Sequence, residues 1–204
     1  MCAAEPGRPP SPRQAVGLHW RLYVYEALEL AIFMAAACGF SVLLFDPRSP
    51  MVQALPDPWW RQVVFAAVMG AVATWIIKSP MGKRSGAHFN PACTLTYLRL
   101  GRISGTDALG YVVGHFIGAV LGVAAAALVL GGALAAPGVD YAVSAPGEFG
   151  VAGALVAELV MAIGFMGTVL WTANRPATAK WTAYLVGLLI AIYLVVFGPI
   201  SGVG

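Results

Sequence analysis

Charge is scarce in this sequence: 10% of its 204 residues are Asp, Glu, Lys or Arg and 59% are hydrophobic, whereas soluble domains carry roughly 25% charge. That balance excludes an ordinary water-soluble fold. Cysteine is nearly absent too. Cys2, Cys38 and Cys93 form an odd set without metal-ligand spacing, so neither a disulfide framework nor a metal site is expected. No cofactor- or nucleotide-binding motif is visible. The Gly-x-Ser-Gly nucleophile of an intramembrane serine protease is only half present, because Gly39-Phe40-Ser41 runs into Val42, and no catalytic residues are assigned. The opening segment holds Pro6, Pro9, Pro10 and Pro12 and lacks the apolar core of a signal peptide. Residues 1–19 are expected to be a disordered tail.

What the chain has is long apolar runs. Five stand out, at about 22–45, 60–78, 107–131, 150–172 and 181–198, each close to the roughly 20 residues that cross a bilayer as helix. The expected class is an all-α integral membrane protein, with the lipid bilayer as its first partner. Arg8, Arg13, Arg21, Lys78, Lys83, Arg84, Arg99, Arg102, Arg175 and Lys180 fall on the side of the N-terminus, and only Arg48 and Arg61 fall opposite. Positive charge is retained in the cytoplasm, so the N-terminus is expected there. The net charge of +3 then reflects topology, and no nucleic-acid partner is expected.

Between the second and third runs lies Ser85-Gly86-Ala87-His88-Phe89-Asn90-Pro91-Ala92-Cys93-Thr94, too polar and too short to span. Asparagine is a good helix cap and proline a good first helical residue, so Asn90-Pro91 reads as a helix start. Gly101 reads as a stop. The helix between them would be about 13 Å long, near half the hydrocarbon thickness. Irregular backbone at that depth survives only where protein or a wet cavity satisfies its polar groups. The segment therefore argues for a re-entrant loop beside a polar path. His88 is expected to pack and hydrogen-bond within this loop. In the third run Gly110, Gly114, Gly118 and Gly122 recur every four residues, a stripe that lets helix backbones approach closely.

The string from Ser85 to Ala92 resembles the first signature loop of the aquaporin and aquaglyceroporin family. Arg21 ahead of Glu26, Gly118-Ala119 and Glu158 match it as well. His115 departs from it, standing where the family usually has glutamine. The resemblance implies an aquaporin-like bundle of five transmembrane helices plus one re-entrant half-helix, and a passive channel for water or small neutral solutes, without enzymatic activity. It implies that Glu26 and Glu158 accept hydrogen bonds from re-entrant loops, with Glu29, three residues beyond Glu26, a weaker competitor. It also implies that Gly86, Ala87, His88, Asn90, Pro91 and Ala92 form the pore centre. By register, Gly70 and Leu194, the latter beside Tyr193, would stand at the selectivity constriction, where a small and an apolar residue favour glycerol-like solutes. Homotetramers are implied for a complete chain.

Such folds contain two inverted repeats. Residues 20–132 read as the first, 133–149 as an extracellular loop, and 150–204 as part of a second, in which Glu158 through Met166 echo Glu26 through Met34. The asparagine matching Asn90 would fall at position 206, beyond Gly204. Residues 1–204 by themselves are therefore expected to conduct poorly or not at all, as a partial chain. Two alternatives stand beside the channel: a proton-coupled small-solute transporter, motivated by the acids within the apolar runs, and a non-conducting membrane fragment.

Overall fold

The computed structural model describes residues 12–202. Among them there are only helices and connections: α1 (Pro12–Phe45), α2 (Pro50–Ala54), α3 (Pro58–Lys78), α4 (Gly82–Ser85), α5 (Pro91–Arg99), α6 (Gly105–Leu130), α7 (Gly150–Ala173), α8 (Pro176–Ala179) and α9 (Thr182–Ser201). Five of these, α1, α3, α6, α7 and α9, are long and apolar enough to cross a membrane. They coincide with the five apolar runs. One boundary differs from expectation: α1 begins at Pro12, so residues 12–19 extend the first helix and are not tail. Residues 1–11 lie outside the described part.

Local chemistry sets the helix starts. Asp57 accepts a hydrogen bond from the Trp59 amide at 2.8 Å, with Pro58 in the first position. Ser104 Oγ accepts from the Asp107 amide at 3.1 Å, and its hydroxyl donates to the Asp107 carboxylate. Both satisfy amides that a helix start leaves without partners.

Two close crossings organise the bundle. The Gly110–Gly122 stripe of α6 lies against Tyr23, Ala27 and Ala31 of α1, and a Cβ on Gly114 would sit 2.8 Å from the Tyr23 carbonyl oxygen. A methyl group at Gly114, Gly118 or Gly122 would meet the α1 backbone and force the helices apart. The second crossing joins α3 to α9 at Gly70 and Gly187, each of which abuts the other's backbone. Between α1, α3 and α9 a core of Ala37, Leu44, Phe65, Ala66, Met69 and Leu194 is buried. The connection after α6 folds back, burying Leu134, Ala136 and Val139 against Cys38 and Ala126. Further along it, the Gly147 amide donates to the carbonyl of Ile200 at 3.0 Å, linking this loop to the end of α9.

Candidate functional site: a pinned re-entrant loop beside a cavity

Between α4 and α5 the chain is irregular. Gly86 takes φ +99°, a conformation suited to glycine, and Ala87 and Phe89 also have positive φ. Such backbone persists only when its surroundings over-determine it, and here a buried acid does so. Glu26 of α1, with no exposed surface, accepts the His88 amide through Oε1 at 3.0 Å and the Phe89 amide through Oε2 at 2.7 Å. Oε2 also meets Nε2 of His115, from α6, at 2.9 Å. Three donors around one carboxylate supply what a buried charge requires.

Glu29, one turn along α1 and equally buried, receives the Ser85 hydroxyl at 3.1 Å. Ser85 Oγ in turn accepts the Ala87 amide at 3.0 Å, and the Ser85 carbonyl accepts the Tyr111 hydroxyl of α6 at 2.7 Å. His88 turns into the protein: its Nδ1 lies 2.9 Å from Thr94 Oγ1, and its ring stacks on Tyr97 with centroids 4.8 Å apart. Two buried acids of α1 and four side chains, His115 and Tyr111 of α6 and Thr94 and Tyr97 of α5, thus hold the kink.

The kink delivers the start of α5 to a cavity of about 450 Å³. Asn90 lies on its wall, and its Oδ1 accepts the Ala92 amide at 2.8 Å. That bond leaves the Nδ2 donors as the free end of the side chain. The rest of the wall is mostly apolar, from Leu30 and Phe33 of α1, Phe89 of the loop, Ala92 and Cys93 of α5, Met161 and Phe165 of α7, and Ile190, Tyr193 and Leu194 of α9. Glu158 also lines it and makes no hydrogen bond among the described residues.

Of the pore residues read from the sequence, Asn90, Ala92, Tyr193 and Leu194 meet at this cavity, joined by Glu158, and five do not. Gly86, Ala87, His88 and Pro91 shape the loop from behind the wall. Gly70 is a correction of another kind: it is buried in the α3–α9 crossing, where its missing side chain admits the Gly187 backbone and not a solute. Glu158 faces the cavity, whereas Glu26 and Glu29 both bond the segment between α4 and α5 or its edge. Sequence reasoning missed Ser85, Thr94 and Tyr111 as supports, undervalued Glu29, and read His115 only as a departure. Tyr111, His115 and Gly118 fall on one helix face by their spacing, which was the available signal.

The sequence model of the Major intrinsic protein family matches residues 14–204, and the chain belongs to that family. It is 27% identical over 131 residues to Aquaporin Z of Photorhabdus laumondii, covering 59% of this chain and 55% of that one. It is 33% identical over 109 residues to the aquaglyceroporin AqpS of Rhizobium meliloti, covering 53% and 43% respectively. The chain thus spans about half the length of the curated relatives it matches. Among solved structures, the aquaglyceroporin from Plasmodium falciparum shares the fold, with a TM-score of 0.73 over 91% of this chain and 75% of that one at 18% identity.

Proposed function

We propose that the protein is a passive transmembrane channel for water and small neutral solutes of the glycerol type. One observation carries the reading: Asn90 stands at the N-terminus of α5 with its side-chain carbonyl oxygen committed and its amide donors free, on the wall of a mostly apolar cavity. The helix end contributes roughly half a positive charge, which repels cations. The amide donors orient a neutral oxygen-bearing solute. Relatives named as an aquaporin and as an aquaglyceroporin support both ends of the solute range.

Glu26 and Glu29 spend their oxygens holding the loop, so of the three acids that motivate the proton-coupled reading only Glu158, on the cavity wall, still supports it. The lysine and arginine distribution supports a cytoplasmic N-terminus, and the family's usual assembly supports a homotetramer with a pore in each protomer. Stopped-flow light scattering on proteoliposomes of the full-length protein tests the proposal. Water and glycerol should equilibrate faster than through lipid alone, with no dependence on a pH gradient. Permeability equal to that of empty vesicles, or solute accumulation driven by protons, would overturn it.

A further inference from the structure

The partners of Glu29 do not match those of an ionised carboxylate. Its side chain has no exposed surface and forms no ion pair among the described residues. It meets a single donor, the Ser85 hydroxyl, whose oxygen lies 3.1 Å from Oε1 and 3.2 Å from Oε2. Hydroxyls that donate to a charged carboxylate sit closer, at about 2.5–2.7 Å. Asp107 shows this, with the Tyr23 and Ser104 hydroxyls both at 2.7 Å. One hydroxyl proton cannot serve two oxygens. An ionised Glu29 would therefore leave an oxygen buried without a donor, one helical turn from the charge of Glu26.

The groups around Glu29 that could answer such a charge are engaged elsewhere. On α4, Lys83 and Arg84 are exposed, and the Arg84 guanidinium donates to the Tyr25 hydroxyl at 3.4 Å. His115 of α6 pairs with Glu26 at 2.9 Å, and His88 of the loop pairs with Thr94 at 2.9 Å. The Tyr111 hydroxyl of α6 donates to the Ser85 carbonyl at 2.7 Å. From α3, this stretch of α1 meets the apolar Ala73 and Ile76.

A neutral carboxyl fits where a charged one does not. Its own O–H donates to Ser85 Oγ, the Ser85 hydroxyl donates back to the other oxygen, and the two nearly equal distances follow from that closed pair. A serine hydroxyl donates once and accepts twice. The second acceptor position of Ser85 takes the Ala87 amide at 3.0 Å, so every bond the hydroxyl can make is used. We infer that Glu29 binds a proton in the folded protein and that this proton latches the re-entrant segment onto α1. Without it, the bond from Glu29 to Ser85 is lost and two negative charges stand one turn apart behind the loop. The pair is a pH-sensitive fastener for the segment that presents Asn90, and it rests on the seat of the loop, independent of what crosses the cavity.

Infrared spectroscopy of the full-length protein in detergent reads the proton directly. At neutral pH the wild type should show a protonated-carboxyl C=O band that shifts on transfer to heavy water, fades as the pH is raised, and is missing from Glu29→Gln. Ser85→Ala should keep the band and move it to higher frequency, because the acid loses its partner. The carboxamide of Glu29→Gln donates and accepts as the acid does and cannot ionise. Hydrogen–deuterium exchange of a peptide covering residues 85–90 should therefore quicken with alkali more in the wild type than in this variant, their ratio growing by up to about tenfold per pH unit. Absence of a protonated carboxyl from the wild type at neutral pH needs no variant to read and would overturn the inference. Identical carboxyl bands in the wild type and Glu29→Gln, loss of the band in Ser85→Ala, or an exchange ratio that stays constant with pH would each do the same.

Discussion

Glu26 sets the terms at the scale of single residues. Its carboxylate serves three donors from two other elements, and hydrogen bonds to a charged group contribute about 1.5–3 kcal/mol each to stability. Glu26→Gln keeps the shape but replaces one acceptor oxygen with a donor that faces an amide or imidazole N–H. The variant should lower the thermal midpoint in detergent by several degrees. Glu29→Gln should cost clearly less, because a carboxamide still accepts from Ser85, and equal losses would show that the two acids are not differentiated as their contacts indicate. A second titratable residue acts outside the membrane spans. The Arg48 guanidinium and amide hold the Asp46 carboxyl below the usual carboxylate range. A carboxyl depressed on folding stabilises the folded state above its unfolded pKa of about 4, and this contribution disappears as the pH falls through the lower folded value. Asp46→Asn should therefore flatten the acid limb of a stability profile, and an unchanged limb would remove the pair from the account. The sequence made some of these residues plain and hid others. Asn90, Pro91 and Gly101 announce themselves because capping is local chemistry. Glu29 was harder to value, since the partner that gives it a role, Ser85, is distant in the chain and reaches it only after folding.

Helix seams are the features that matter at the scale of elements. Gly118 and Gly122 of α6 press on the backbone of Ala27 and Ala31, so Gly118→Leu must separate α1 from α6 and pull His115 and Tyr111 away from the loop. The expected result is loss of folded, monodisperse protein, or a destabilisation of more than about 3 kcal/mol, at the upper end of overpacking costs. Gly17→Leu, with free space around its position, is the neutral comparison, and equal behaviour of the two would contradict the seam. The glycine stripe was readable from its four-residue period. Gly70 was not, because a glycine looks the same in sequence whether it widens a pore or admits a neighbouring backbone, and only Gly187 decides between these. The five spans were legible to within a few residues except at the start of α1, where the prolines and charges of the opening segment masked the helix from Pro12.

At the largest scale, two stretches of the described residues are tied together differently. The first, from α1 to α6, is stitched by buried polar contacts and glycine seams. The second, α7 to α9, leaves Leu155, Leu159 and Ile163 of α7 exposed on its apolar surface and sets Glu158 on the cavity. The cavity therefore opens between a rigid wall, which carries Asn90, and a plainer one. With Cys2, Cys38 and Cys93 replaced by serine, Ala92→Cys should react with a small water-soluble thiol reagent through the cavity, whereas His88→Cys should stay protected behind the loop. Mass spectrometry of the labelled protein reads both, and reversed reactivity would mean that the loop faces the other way. Glu26 and Glu29 also constrain how such a protein is made. When the first span leaves the ribosome and enters the bilayer, neither acid has its partners, and an ionised side chain at mid-membrane costs roughly 2.5–3.5 kcal/mol on insertion scales. Relief comes only when the kinked segment and then α6, with His115 and Tyr111, have followed. Insertion of the first span thus carries a penalty that its own sequence cannot relieve, and the partners that remove it come from the kinked segment and the third span.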